Sequence, residues 1–416
     1  MIKVLHFADT HIDIAAHGKR DPESGLPYRV LDFLKALDTI VDTAIAEKVD
    51  LVLFAGDAYK DRTPVPTYQR EWGQRIMRLS DAGIPTLLLV GNHDLSPSQG
   101  RAHALQEFRT LQVPHVRVID RPVLIAPDEF ENLPVQIMAV PWVSRSTFMA
   151  DQEEDENSEK DTLDEVNDSI QDRLIKLIDL WVNRLDDNTP TIFLAHASVQ
   201  GAVYGNERSI MLGHDYLLPT SLLKDPHIDY VALGHIHKAQ DLNENNQPPI
   251  IYPGSIEKVD FGEINDDKFF VIAEIDKGST AVQWRKLNGR KFIDCDITLA
   301  ADKDFSKQIL NNIPDPSDTD DAMVRIRLHY PKHIENMIDE NIIREFIPNA
   351  FSLHIIRRPE IETRIRLNTE DGMESYTPMQ LLDLYWDTKH IKDDRELLNS
   401  LAAKVMAGDL TIQKES

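Results

Sequence analysis

Short apolar runs recur through the first two thirds of the chain, and most stop at a polar cluster: "VLHFADTHID" from Val4, "LVLFAGDAY" from Leu51, "TLLLVGNHD" from Thr86, "TIFLAHAS" from Thr191 and "YVALGHIH" from Tyr230. Near-continuous hydrophobicity, rather than clean alternation, predicts strands covered on both faces. Segments with helical spacing lie between them. Leu31, Leu34, Leu37, Ile40, Val41 and Ala44 precede the second run, and Leu174, Leu177, Ile178 and Trp181 precede the fourth. Strands alternating with helices predict an α/β domain, whose sites form beyond the carboxyl ends of the strands. The polar clusters sit at those ends. Two more predicted strands, "VQIMAVPW" and "FFVIAEID", complete this domain over residues 1–288.

The pattern then changes. "KFIDCDITLA", "AMVRIRLHY", "FSLHIIRRPE" and "TRIRL" read as short alternating strands around a helix-like "IENMIDENIIREFI", predicting a smaller α+β domain over 289–373. Over 374–416, "TPMQLLDLYWDTKH" and "DRELLNSLAAKVMAGDL" predict two helices, the second capped by Asp393 or Asp394 and stopped by Gly408.

Composition narrows the function classes only a little. The 416 residues suffice for two or three domains. Cys295 is the single cysteine, which excludes an internal disulfide and a thiolate zinc cluster. No apolar run reaches membrane-spanning length and no signal-peptide pattern opens the chain, so the expected location is cytoplasmic and no membrane partner is expected. A formal net charge of −25 argues against a uniformly basic coat for nucleic acid, although a bound metal pair and a local basic patch can reverse the sign where it matters. The acidic stretch at 151–165 is too polar for a core and reads as a solvated loop or a regulatory arm.

The strand ends carry the chemistry. On an extended strand Asp9 and His11 project to one side, so they could hold one cation together. Asp57 in "AGD", Asn92 and His93 in "GNHD", His196 in "LAHAS", and His235 with His237 in "GHIH" repeat the arrangement, with Gly56, Gly91 and Gly234 where the backbone turns sharply. Carboxylate, amide and imidazole without thiolate favour Mn²⁺, Fe²⁺ or Zn²⁺. The set exceeds what one tetrahedral ion needs, and two ions about 3.5–4 Å apart, bridged by a carboxylate, fit better. Such a pair acidifies a bound water and neutralises phosphate charge, which implies hydrolysis of a phosphate ester.

In that order, "DTH", "GD", "GNHD", "H" and "GHIH" resemble the five signatures of the calcineurin-like metallophosphoesterases. The resemblance implies a four-layer α/β/β/α sandwich. It also implies Asp9, His11, Asp57 and His237 around one ion, with Asp57 bridging to a second held by Asn92, His196 and His235. His93 would contact the scissile phosphate or protonate the leaving oxygen, with Asp94 either orienting it or forming a turn. "ERSIMLGHDYLLP", "HIDYVALGHIHKAQ" and "IIYPGSIEKVDFGE" are similar to the SbcD-type DNA double-strand-break repair nucleases. That narrower resemblance implies a Mn²⁺-dependent 3'-5' double-strand exonuclease and single-strand endonuclease. It further implies a DNA-contacting capping domain, a C-terminal helical segment docking on an SbcC-type SMC-like ATPase, and a homodimer through "VPTYQREWGQRIM" and "GRAHALQEFRTL".

Several residues remain open on sequence. Some members of the family carry histidine where Lys60 stands; the lysine is either an ordinary surface residue or a point charge for phosphate. Arg325, Arg327, Arg357, Arg358, Arg364 and Arg366 are candidates for phosphate contact, or devices that blunt a strand edge. The apolar positions of the C-terminal helices fit either partner docking or folding back on their own domain. His17, His103, His214 and His329 stand outside the ligand pattern. A phosphatase or nucleotide phosphodiesterase, and a non-cleaving DNA-end-binding scaffold, are the alternative readings.

Overall fold

The computed structural model describes residues 1–14, 18–96, 101–143, 163–205, 216–300, 304–360, 376–388 and 395–406. The acidic stretch as far as residue 162, His17, His214, the expected "TRIRL" strand with Arg364 and Arg366, the expected cap at Asp393 or Asp394 and the expected stop at Gly408 lie outside them. The chain divides into a unit formed by Met1–Asp294 with Asp321–Met323 and a second formed by Cys295–Asp320 with Val324–Ser416.

Two six-stranded sheets build the first unit. In chain order the strands are β1 (Ile2–Phe7), β2 (Leu51–Phe54), β3 (Thr86–Leu89), β4 (Val116–Ile119), β5 (Val123–Ile125), β6 (Gln136–Val140) and β7 (Thr191–His196). They continue with the short pair β8 (Ser198–Val199) and β9 (Leu217–Leu218), then β10 (Tyr230–Gly234), β11 (Gln240–Asp241), β12 (Ile250–Tyr252), β13 (Lys268–Asp276) and β14 (Ser279–Leu287). One sheet runs β14-β13-β1-β2-β3-β4 and the other β11-β12-β10-β7-β6-β5. Strands β1 to β4 are mutually parallel, as are β6, β7, β10 and β12.

Three apolar layers explain the hydrophobic runs. Leu5, Phe7, Val52, Phe54 and Leu88 pack against α1 (Tyr28–Glu47) and α2 (Pro66–Asp81), meeting Phe33, Leu37, Val41, Trp72 and Ile76. The alternate residues Val4, Leu51, Leu53, Leu87 and Leu89 face the second sheet and meet Ile137, Ile192, Leu194 and Ala232. The far side of that sheet, with Phe193 and Val231, packs on Ile170, Leu174, Ile178 and Trp181 of the helix Leu163–Val182. The result is the expected four-layer α/β/β/α sandwich. Each buried Phe or Leu side chain stabilises it by roughly 1.5–3 kcal/mol.

The second unit holds most of a three-stranded sheet, β15 (Phe292–Thr298), β16 (Met323–Pro331) and β17 (Ser352–Glu360), in that order. The single helix expected across "IENMIDENIIREFI" is broken. A 3-10 turn, Lys332–Met337, gives way to extended Ile338, and a separate helix runs Asn341–Phe346. The Asp339 carboxylate accepts the Asn341 N–H at 2.9 Å, a local bond that competes with helix continuation. The C-terminal helices Pro378–Thr388 and Arg395–Met406 pair through Trp386 Nε1–H donating to Asn399 Oδ1 at 2.9 Å and Asn399 Nδ2–H to Asp383 Oδ1 at 2.8 Å. No helix among the described residues is long and apolar enough to cross a membrane.

One polar residue ties the sheets together. His6 of β1 is fully buried, its Nδ1 3.0 Å from the Tyr230 hydroxyl and its Nε2 3.2 Å from the Leu233 carbonyl, both on β10. A carbonyl only accepts, so Nε2 carries the proton and Nδ1 accepts from tyrosine. Burial pushes the imidazole down from its ordinary 6.5 to about 3, against the pull of the Leu233 carbonyl. The unfolded chain therefore binds a proton that the folded chain refuses. Stability from a neutral His6 is whole above pH 6.5 and is lost as pH falls toward 3. In urea unfolding below pH 6.5, His6 should contribute a fall of roughly 1.4 kcal/mol per pH unit that is missing from His6→Gln; parallel curves for the two proteins would refute this.

Candidate metal centre

The polar clusters meet where the carboxyl ends of β1, β2 and β3 face those of β7 and β10. The expectation that Asp9 and His11 line up on an extended strand is corrected by the backbone. β1 stops at Phe7, and Asp9 and His11 adopt φ of 50° and 36°. Asp57 and His235 are also left-handed, at φ 64° and 102°. These turns are pinned by bonds between loops. Asp9 N–H donates to the Gly56 carbonyl at 3.0 Å, Thr10 and His11 N–H to the Asp57 carbonyl at 2.9 and 3.2 Å, and the Thr10 hydroxyl to the Ala58 carbonyl at 3.0 Å. Side chains two apart converge because a turn is held, not because a strand continues.

Two buried triads result, Asp9 with His11 and His237, and Asp57 with His196 and His235; within each, the ligand atoms all lie within 4.8 Å of one another. Asp57 Oδ2 lies 3.7 Å from His11 Nε2 and 3.4 Å from His196 Nε2, placing one carboxylate between the triads. Asn92 Oδ1 sits 2.9 Å from His196 Nε2 and 3.0 Å from His235 Nδ1. All seven expected ligands therefore gather in one place. A Cβ on Gly91 would collide with the Asp57 carboxylate, and one on Gly234 with the Ala55 carbonyl.

The donor set fits cations. His11 Nδ1 faces the Tyr59 carbonyl at 3.3 Å and His237 Nδ1 faces the Glu263 carboxylate at 2.9 Å, so both Nδ1 atoms carry protons. Both Nε2 atoms then present lone pairs, and they point at each other 3.1 Å apart. Likewise His196 Nδ1–H is spoken for by the Ala55 carbonyl at 2.7 Å, leaving Nε2 against the oxygens of Asn92 and Asp57. Acceptors facing acceptors in a buried site need positive charge between them. Burial resists the charge on Asp57, yet His196, His93 and His11 hold its carboxyl well below the usual range. Burial also opposes charge on His196, but Asp57 beside it pushes the imidazole up to about 9. The potential that favours a proton there favours a cation.

His93 hangs beside the paired triads. Its N–H donates to Asp57 Oδ1 at 2.8 Å, and its Nδ1–H to the Lys60 carbonyl at 2.9 Å. Burial lowers its pKa and the nearby Lys60 adds to the effect, with Lys60 Nζ 3.3 Å from His93 Nε2. Asp94 does not orient His93. Its carboxylate accepts the backbone N–H groups of Asp57 at 2.9 Å, Ala58 at 2.9 Å and Gly91 at 2.8 Å, clamping one ligand loop to the other. The carbonyl of Lys60 takes the orienting role because the imidazole points away from its sequence neighbour.

Two contributors went unassigned in the sequence. Glu263, in the 3-10 turn Phe261–Glu263, holds His237 as described and pairs with Lys268 Nζ at 2.8 Å. Burial works against its charge, but His237 and Lys268 pull its carboxyl down to about 2. Its signal was its place in "IIYPGSIEKVDFGE". Trp142, just past β6, is held by its backbone N–H donating to the Val90 carbonyl at 2.9 Å and has its ring centroid 4.9 Å from that of His235. It too follows an apolar strand, as the ligands do.

The described candidate arginines belong to the second unit. Arg325 and Arg327 share one face of β16, as period two requires, and Arg327 is paired with Asp296 at 2.7 Å. Arg357 and Arg358 are exposed on β17, the former paired with Glu340 at 2.8 Å. His103 lies 3.4 Å from Asp120, and His329 pairs with Asp296 at 3.0 Å.

A buried carboxylate between two imidazole-bearing triads at the ends of parallel strands defines a hydrolase that works on phosphate through a divalent metal pair. The family pattern of the calcineurin-like phosphoesterases matches residues 2–239. The chain belongs to that family and is a metal-dependent phosphodiesterase. Among curated relatives it is 24% identical over 391 residues to the SbcD component of the SbcCD nuclease of Staphylococcus epidermidis, covering 85% of this chain and 95% of that one. It is also 24% identical over 280 residues to the protein of the same name in Staphylococcus saprophyticus, covering 66% of each chain. To the DNA double-strand break repair protein Mre11 of Halobacterium salinarum it is 35% identical over 133 residues, 32% of each chain. The chain thus spans less than two thirds of the length of two of these three relatives.

Metal analysis separates the roles. His93→Gln should retain both ions while activity drops roughly 10²–10⁴-fold, whereas Asp57→Ala should lose metal and activity together; an empty His93→Gln would overturn the division. Asp94→Asn should lose roughly 1–3 kcal/mol of stability in urea unfolding, because its amide would confront backbone N–H donors.

Proposed function

We propose that this chain is the nuclease component of a DNA double-strand-break repair complex, hydrolysing phosphodiesters at DNA ends as a 3'-5' double-strand exonuclease and single-strand endonuclease. The observation that carries the reading is the placement of His93 and Lys60 side by side at the paired triads, in a family whose curated relatives include SbcCD and Mre11 nucleases. Two divalent ions, Mn²⁺ as the resemblance to SbcD-type nucleases implies, would supply an acidified water and neutralise charge on the phosphoryl oxygens.

The chain's own residues do the rest. Asp9, His11, Asp57, Asn92, His196, His235 and His237 hold the ions. His93 Nε2 contacts the scissile phosphate or delivers the proton to the leaving oxygen, its ring fixed by Nδ1–H on the Lys60 carbonyl. The Lys60 ammonium attracts a phosphate as a point charge where related proteins carry imidazole. Arg325, Arg327, Arg357, Arg358, Arg364 and Arg366 of the smaller domain supply phosphate contacts without reading sequence.

Leu397, Leu401 and Val405 are 60%, 42% and 60% exposed, one apolar stripe at a spacing of four on the last described helix. That stripe supports docking on an SbcC-type ATPase, with an amphipathic helix laid in a groove. Homodimerisation through α2 and the segment around the helix Gln106–Thr110 is supported by exposed Val65 and Leu111. The domain limits 1–288, 289–373 and 374–416 and a cytoplasmic location complete the reading.

The purified chain, supplied with Mn²⁺, should degrade linear DNA and a nitrophenyl phosphodiester, with a phosphomonoester a poor substrate and chelation abolishing activity. Hydrolysis of the small esters with none of DNA would replace the reading by a phosphatase or nucleotide phosphodiesterase. DNA-end binding with both ions present and no hydrolysis of any substrate would leave a scaffold.

A further inference from the structure

We infer that Glu263, braced by Lys268, is the positioning residue of His237: it holds the imidazole in the tautomer whose Nε2 meets the cation and raises the affinity of the ion position shared with Asp9 and His11. The inference needs only the metal pair and stands whether or not DNA is the substrate.

The geometry is a buried line of three groups. Lys268, the first residue of β13, is 3% exposed and directs its ammonium to Glu263 Oε2 at 2.8 Å, the Ser255 hydroxyl at 2.7 Å and the His237 carbonyl at 3.2 Å. All three of its donors are thereby occupied. Glu263 Oε2 also accepts the Val259 N–H at 2.8 Å, and Oε1 takes the His237 Nδ1–H at 2.9 Å. A carboxylate so held cannot turn away, and it accepts only, so His237 has no alternative but to present Nε2 toward His11.

Two of the other imidazoles are held by weaker acceptors. His11 Nδ1 and His196 Nδ1 meet the neutral carbonyls of Tyr59 and Ala55. Of these three described ligands, His237 alone rests its Nδ1 on a carboxylate. A charged acceptor makes the far nitrogen a better donor to metal, and losing such a partner lowers metal affinity roughly 10–100-fold. Since Asp9 and His11 share the position, the effect falls on one ion and not the other.

The test is calorimetric titration of Mn²⁺ into the metal-stripped full chain. Removing Glu263 alone would leave the Lys268 ammonium buried and unpaired, so the informative variant is Glu263→Gln with Lys268→Met, which keeps a hydrogen-bonding group on His237 and removes both charges. It should bind one ion as the parent does and the other roughly 10–100-fold more weakly. Lys268→Met alone, which keeps the carboxylate on His237, should retain both affinities while unfolding at lower temperature. Unchanged binding in the paired variant, equal weakening of both ions, or loss in Lys268→Met as large as in the paired variant would each overturn the inference. A measurement on the parent needs no variant: ¹⁵N NMR of histidine-labelled, metal-stripped protein should show His237 protonated at Nδ1, and the Nε2–H form would equally overturn it.

Discussion

One carboxylate has to serve two sets of imidazoles, and the structure is organised around that demand. Asp57 reaches both triads from a backbone with positive φ, and Asp9, His11 and His235 also have positive φ. At roughly 1–3 kcal/mol for each such residue, four of them approach the whole net stability of a typical domain. The strain persists because each loop is bonded to its neighbour. Asp94 alone accepts three backbone N–H groups, and leaving such buried donors unmet costs roughly 1–3 kcal/mol each. The cost of aiming the ligands is thus offset within the same few loops that aim them.

The centre belongs to neither sheet. The first sheet supplies Asp9, His11, Asp57, Asn92 and His93 from the ends of β1, β2 and β3; the second supplies His196, His235 and His237 from β7 and β10. Packing Val4, Leu53 and Leu87 against Ile137, Leu194 and Ala232 sets the spacing at which the halves meet. His235 N–H donates to both Asp9 oxygens, at 3.1 and 3.0 Å, and this bond crosses from one sheet to the other at the site itself. Cation binding and closure of the sandwich are therefore linked: bringing the sheets together forces acceptors into contact, and an ion relieves the conflict.

A strongly acidic chain is no obstacle to acting on a polyanion when positive charge is concentrated at the reacting phosphate. On the proposed reading, Lys60 and two bound ions would provide that concentration on the first unit. On the second, Arg327 and Arg357 face partners that already temper their charge, Asp296 and Glu340. Contact with a phosphate there requires exchange of one anion for another, which suits weak binding that ignores sequence.

Ligand chemistry was legible in the linear sequence because it depends on local pattern. An apolar run announces a strand covered on both faces, and Asp57, Asn92, His196 and His235 at the ends of such runs stand out as side chains a core would not choose. The α/β class followed from the same periodicity, and the family resemblance implied the four layers. What the sequence could not determine was which distant group each side chain would meet. Asp9 and His11 looked like neighbours on a strand and are instead held in a turn; Asp94 looked like a partner for His93 and clamps three amides. Glu263 lies in a segment that resembles the family, yet that segment did not say it would act on a residue 26 positions away. The reason is physical: burial and period are properties of a segment, whereas a hydrogen bond between loops is decided by the distance at which two sheets pack, and that distance exists only in the folded molecule.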